Sequence, residues 1–286
     1  MIGLYDDDGT TRLSVSYNSL TLNNDADEQN DTYEINGASV AGVYTSIEDA
    51  HPEEDGSEAY GAQKTKLIVV LDGTIRAPSI SKLFDKIKAL RAAFDASKAS
   101  YENPTSQGFL ALDFSTPTTD TTNYPTGLVP SRYYVRERRL LVPPSNMYSG
   151  LSQFFRVELE AIDPRRYLQT TDHLDGAGAA DNTLADFRSF PTISITMSGA
   201  GANNFRIQRA ASGVTTQGLD LDLTLETTGT IVVDMATRSI SKVDQDKTGL
   251  YVSGDWWSIE PASNTITISN GTNATVVTTW RRAFCA

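Results

Sequence analysis

A single amphipathic helix stands in a chain that otherwise reads as strands and turns, and it restricts the fold more than any other feature. Within Leu67 to Phe94 a β-branched strand, Leu67–Leu71, runs through a Gly-containing turn into Leu83, Phe84, Ile87, Leu90 and Phe94. That spacing gathers the apolar residues on one stripe of a helix. Ser79, directly after Pro78, is placed as the N-cap, where its hydroxyl can satisfy a free amide of the first turn. One helix packed on a mainly β chain favours a scaffold or binding module over an α/β enzyme.

The 286 residues suffice for two domains with separate cores. Residues 1–168 read as an N-terminal domain of strands around the helix, interrupted by polar stretches at Asn23–Thr32 and Glu48–Gly61. Residues 169–190 contain Gly176-Ala177-Gly178-Ala179-Ala180, with little to bury, and read as a linker. Residues 191–286 carry nine short strand patterns separated by turns, which predicts a β-sandwich. The clearest is Leu219–Leu225, with Leu219, Leu221, Leu223 and Leu225 expected inward and Asp220, Asp222 and Glu226 toward water.

Composition narrows the function. Twenty-four basic and 36 acidic residues give a net charge of −12, so the surface should repel a phosphate backbone, whose binding relies on clustered Lys and Arg. No run of about 18 apolar residues is present, which predicts no membrane span. The acidic start, Met1 to Arg12, lacks the pattern of a signal peptide, and Cys285 is a lone cysteine. Folding in a cytosolic compartment is expected, with neither an internal disulfide nor a structural zinc site.

Several motifs fall short of the chemistry they suggest. Ser79-Ile80-Ser81-Lys82, Tyr101-Glu102-Asn103 and Lys247-Thr248-Gly249 follow the order of the penicillin-recognising serine enzymes, but the helical domain between the first two is missing. An N-cap, a loop and a hairpin turn account for them. Gly37-Ala38-Ser39-Val40-Ala41 lacks the helix that a nucleophile elbow requires, and His51 and His173 are the only available bases. Asn23, Asp25, Asp27, Gln29, Asp31 and Glu34 match calcium-loop positions, but Glu28 replaces the turn glycine. Gly199–Asn204 lacks the third glycine of a dinucleotide fingerprint and precedes a strand. No catalytic residue, cofactor or metal is expected.

Two features suggest contacts instead. Arg132, Arg136, Arg138 and Arg139 share one strand pattern and read as surface ion pairs or as a subunit contact. Trp256 and Trp257 are adjacent, so one points inward and the other is exposed or covered by a partner. A protein partner is preferred over a sugar ring for that tryptophan.

Taken together, Gly73-Thr74-Ile75-Arg76-Ala77-Pro78 with its helix, Ala161 to Tyr167, Pro191 to Ile195, Val232-Val233-Asp234, Ser253 to Pro261, Asn264 to Ile268 and Trp280 to Phe284 resemble the distal tail proteins of siphovirus-type bacteriophages. Ala262 stands where that family usually has Gly, and residues 1–60 match poorly. The resemblance implies an N-terminal belt domain, β-sandwich or split-barrel-like with one helix, and a galectin-like C-terminal sandwich. It further implies a non-enzymatic homohexameric hub at the tail tip of the virion, assembled in the host cytoplasm. Such a hub joins the tail tube protein to tail-tip or fibre proteins and leaves a channel that DNA crosses without specific binding. Ring contacts are expected at Leu67, Val69, Leu71, Arg136 and Arg138, and partner contacts at Trp256 or Trp257. The alternative is a carbohydrate-binding module at the host surface, with one of these tryptophans as its platform.

Overall fold

The computed structural model describes residues 2–5, 12–23, 32–50, 57–101, 109–143, 151–243 and 245–284. The chain divides into two units, the first ending at Arg166 and the second beginning at Tyr167. Each has its own apolar core.

The first unit contains β1 (Val15–Tyr17), β2 (Leu20–Leu22), β3 (Thr32–Ala50), β4 (Ser57–Arg76), α1 (Ile80–Tyr101), β5 (Leu110–Pro117), β6 (Leu128–Leu141) and β7 (Ser152–Ala161). Its strands run antiparallel in the order β2-β1-β5-β6-β7-β4-β3. β6 serves both halves of that path: Leu128–Val135 pair with β5, and Arg136–Leu141 pair with β7. Alternation sets the faces. Phe155, Val157, Leu159 and Ala161 of β7 are buried, while Phe154 and Arg156 are exposed.

α1 lies on this core. Its first turn is capped as expected, with the Lys82 amide donating to Ser79 Oγ at 3.3 Å. Leu83, Leu90, Ala93 and Phe94 are buried, and the Phe94 ring stacks on Tyr17 at 4.8 Å. Burial of a Leu or Phe side chain stabilises by about 1.5–3 kcal/mol. Phe84 departs from the predicted stripe and is 62% exposed. It follows Leu83 by one residue, a rotation of about 100° on a helix, and so turns off the buried face.

β3 and β4 form a long hairpin, paired from Thr32↔Arg76 to Ala50↔Ser57. β7 covers only Leu67–Arg76 of β4. Beyond Lys66 the hairpin is two-stranded among the described residues, and the polar stretch Glu48–Gly61 supplies the ends of both strands. Near its base Gly73 is required by contact: a Cβ there would lie 2.4 Å from the Glu34 carbonyl oxygen and 2.4 Å from the Phe155 ring.

The second unit contains β8 (Arg166–Leu168), β9 (Asp172–Asp175), β10 (Gly178–Asp181), β11 (Thr192–Met197), β12 (Phe205–Ala211), β13 (Val214–Leu221), β14 (Gly229–Asp234), β15 (Ser239–Lys242), β16 (Gln245–Asp246), β17 (Tyr251–Gly254), β18 (Ser263–Ser269), β19 (Ala274–Trp280) and β20 (Ala283–Phe284). Two antiparallel sheets, β10-β18-β12-β13-β17 and β16-β15-β14-β11-β19-β9, enclose one core. The architecture is the expected one: mainly β, with one helix in the first unit and a β-sandwich in the second.

Two local expectations are corrected. The stretch read as a linker, residues 169–190, holds β9 and β10, which pair with β19 and β18. Its small residues do have a burial role, because Ala180 is fully buried in the sandwich core. The Leu219–Leu225 alternation is also cut short. β13 ends at Leu221, and the Asp222 carboxylate accepts from the Thr224 amide and hydroxyl at 3.0 and 2.6 Å, turning the chain. Leu219, Leu221 and Leu223 are buried as expected, but Leu225 is 89% exposed and Glu226 is buried instead.

Candidate functional site

The strands expected to meet a neighbouring subunit are interior ones. Leu67, Val69 and Leu71 are fully buried in the first core, and β4 is paired on both sides there, to β3 and to β7. These side chains therefore face the core of their own unit, and this expectation is corrected. β6 likewise has partners along its length. Arg136 lies 3.6 Å from Glu160 and sits over the Phe109 ring at 5.2 Å. Arg138 is exposed, at a register shift between Glu137 and Arg139. Arg132 grips Asp113 through Nε and Nη2 at 2.5 and 2.7 Å, and this carboxylate holds its guanidinium well above the usual arginine pKa. The basic strand is thus partly a set of cross-strand ion pairs.

The ends of the strand order lie elsewhere. They are β2 and β3, and they approach each other where the Asn23 amide donates to the Tyr33 carbonyl at 2.6 Å. An edge strand presents unpaired N–H and C=O groups and is the part of a sheet that invites another chain. β3 lies in a stretch that reads as polar and turn-rich. The signal available in the sequence was its alternation from Tyr33 through Ile35, ahead of the acidic run that begins at Glu48.

The tryptophan pair resolves as adjacency demands. Trp257 is buried in the sandwich core, which removes it as a contact residue. Trp256 is half-buried and stacks on Tyr251 at 5.8 Å with 12° between ring planes. Tyr251 is held in turn, its hydroxyl donating to the Gly254 carbonyl at 2.9 Å. β17, which carries Tyr251, is an edge strand and is exposed at every residue.

The remaining sequence motifs are structural where they are described. Ser79 is the helix cap. Lys247, of the Lys-Thr-Gly triplet, donates to Glu226 Oε1 at 3.1 Å, and Lys242 donates to Oε2 at 2.5 Å. The Lys242 contact foremost holds the Glu226 carboxyl below its ordinary pKa. Gly37 to Ala41 lie in β3, a strand and not an elbow. Of the calcium-like positions, residues 25–31 fall outside the described residues. Asn23 is buried, donating to the Leu4 and Leu13 carbonyls at 2.9 and 3.0 Å. Glu34 pairs with Arg12 and Arg76. His51, Glu102, Asn103 and Cys285 also lie outside the described residues. Among the described residues no group of His, Cys, Asp and Glu could hold a metal ion, and no helix is long and apolar enough to cross a membrane.

The sandwich of the second unit supplies the deciding likeness. Residues 185–284 match the model of the siphovirus-type tail component, C-terminal domain. That family is structural, not enzymatic. Comparison with curated proteins returns no match. Among solved structures, the Dit protein of phage SPP1, described as a paradigm of the hub adsorption apparatus in phages infecting Gram-positive hosts, superposes with a TM-score of 0.60 at 14% identity. The alignment covers 94% of this chain and 98% of that one. A chain of the phage P2 baseplate, in its activated conformation with Ca, gives a TM-score of 0.53 at 8% identity, over 94% and 97% of the two chains. At such identities the likeness is one of fold, and it extends the similarity from the tail component domain to the N-terminal unit.

Proposed function

We propose that this chain is a homohexameric hub at the distal end of a phage tail. It joins the tail tube protein to tail-tip or fibre proteins and leaves a channel for DNA ejection. Its first unit is the ring-forming belt and its second the outward galectin-like sandwich. The observation that carries this reading is the tail component domain at residues 185–284. A ring needs a heterologous contact between two different patches of the chain, which closes when its rotation closes. The net charge of −12 suits a passage through which DNA slides without adhering. Assembly takes place in the host cytoplasm, and the finished protein resides in the virion.

Negative-stain imaging with light-scattering mass on the same purified sample tests this. Rings with a central hole, and a mass near six times 31.1 kDa, are expected. Discrete monomers at all concentrations, together with failure to bind isolated tail tubes, would exclude the hub.

A further inference from the structure

Val243 holds a backbone conformation that a β-branched residue rarely adopts. It follows β15 with a φ of 50°, in the left-handed region, where glycine would sit without the steric cost of a branched Cβ. The side chain kept there is 84% exposed, so burial does not offset that cost. Strain without burial points to a side chain kept for a contact outside the fold.

The surroundings hold Val243 among other uncovered apolar groups. Lys242, the residue before it, donates to Glu226 at 2.5 Å. Leu225, the residue before Glu226, is almost wholly exposed. The ion pair thus fixes against each other the two segments that carry Leu225 and Val243. Lys247 joins the same carboxylate at 3.1 Å, and its carbonyl accepts from the Leu250 amide. The chain then enters β17, where Tyr251 and Val252 are exposed in turn. Exposed apolar side chains gathered in this way mark an interaction surface.

β17 gives that surface a direction. It is the last strand of its sheet, and among the described residues no strand lies on its other side. The main-chain groups of such an edge accept a further extended chain, and the side chains around it select which one. Charge narrows the choice. Asp222 and Asp246 accept from Thr224 and Thr248, and among the described residues neither they nor the exposed Asp255 pairs with a cation. The cations beside them are engaged, Arg206 with Asp220 and both Lys242 and Lys247 with Glu226. A second copy is a poor source of a basic segment. The chain has a net charge of −12, and its basic strand, β6, is built into the sheet of the first unit.

We infer that β17 takes an extended segment of a different protein as an added strand, apolar where it meets Leu225 and Val243 and basic between. The carboxylates of Asp222, Asp246 and Asp255 face its Lys or Arg side chains. The Glu226 clamp holds the apolar contacts in place before binding, which lowers the cost of ordering them. The contact goes beyond the ring reading and does not require it, because every residue of it lies in the second unit.

The test titrates a fluorescein-labelled peptide of alternating Lys and Val with the full chain, reading anisotropy and then hydrogen exchange. The peptide is expected to bind and to slow exchange within residues 250–255. The same peptide N-methylated at alternate residues keeps its charge but cannot pair as a strand, and it should not bind. Peptides alternating Lys with Ser, or Glu with Val, should not bind either. Val243→Gly and Leu225→Ser should each weaken binding about tenfold, the affinity carried by one buried aliphatic side chain. Val243→Gly should at the same time leave the denaturation midpoint unchanged or raise it, because glycine adopts this conformation freely. A lack of binding, equal binding of the N-methylated peptide, protection elsewhere on the chain, or full affinity in both variants would overturn the inference. So would a neutral oligosaccharide that protects the same residues, or self-association that Val243→Gly abolishes. Rings imaged without peptide binding would remove this contact and leave the hub standing, and peptide binding without rings would do the reverse.

Discussion

Glu226 shows how one buried charge can tie a turn to a strand end and to a second turn. Its carboxylate is nearly inaccessible and meets the ammonium groups of Lys242 and Lys247 at 2.5 and 3.1 Å. Its folded pKa lies below its ordinary value, foremost through the Lys242 contact. Its contribution to stability is therefore complete above the unfolded carboxyl range and is lost as pH falls through the lowered folded value. Glu226→Gln should cost about 2 kcal/mol at neutral pH, measured by urea unfolding. It should also flatten the acid limb of the stability profile; an unchanged acid limb would show that the clamp contributes nothing. Arg209 predicts the contrary outcome. It is fully buried, and desolvation foremost lowers its pKa. Among the described residues Nε and Nη1 have no hydrogen-bond partner, while Nη2 donates to Gln217 and Glu260 at 2.6 and 3.3 Å. Replacing such a buried ion is often neutral or stabilising. Arg209→Met should accordingly lower the denaturation midpoint by no more than the equivalent of about 1 kcal/mol.

At the scale of elements, α1 and the β3–β4 hairpin are anchored by single close contacts. Ser79→Ala should remove the cap and destabilise the first unit by about 1 kcal/mol. Gly73→Ala should cost more, about 1–3 kcal/mol, because its Cβ meets backbone as well as the Phe155 ring. Thermal unfolding of both variants checks the order. The helix was legible because its period and its cap agree, as were the sandwich strands, whose apolar residues alternate between turns. The hairpin was not. Its strands carry Gly37, Ser39, Ala41 and Gly42 where a reader looks for β-branched residues, and long-range pairing with β4 sets their conformation. β9 and β10 were missed for a related reason: small residues read as linker when a facing sheet is not in view. Periodicity shows that Leu67–Leu71 is a buried strand. It does not show that the strand has neighbours on both sides. The choice between Trp256 and Trp257 was open in the sequence, and only the packing of the sandwich decides it.

The whole molecule is two separately cored units on a single acidic chain, and residues 185–284 of the second match the tail component model. Filter retention of double-stranded DNA at moderate salt should be absent, as the net charge of −12 predicts, and retention would argue against the proposed channel. Within the first unit β6 runs through both halves of the sheet, and its register shift at Glu137–Arg139 has a consequence for the continuity of the core. Before the shift the odd-numbered Val129, Ser131, Tyr133 and Val135 face inward; beyond it the even-numbered Leu140 and Val142 pack on the same core. One extra residue thus reverses the phase of the strand between its two partners. Arg138 marks that position as the residue that the pairing with β7 can spare. Arg138→Ser should leave the fold intact, and so should deletion of Arg138, which leaves Leu140 four positions after Val135 and still facing the core in a regular strand.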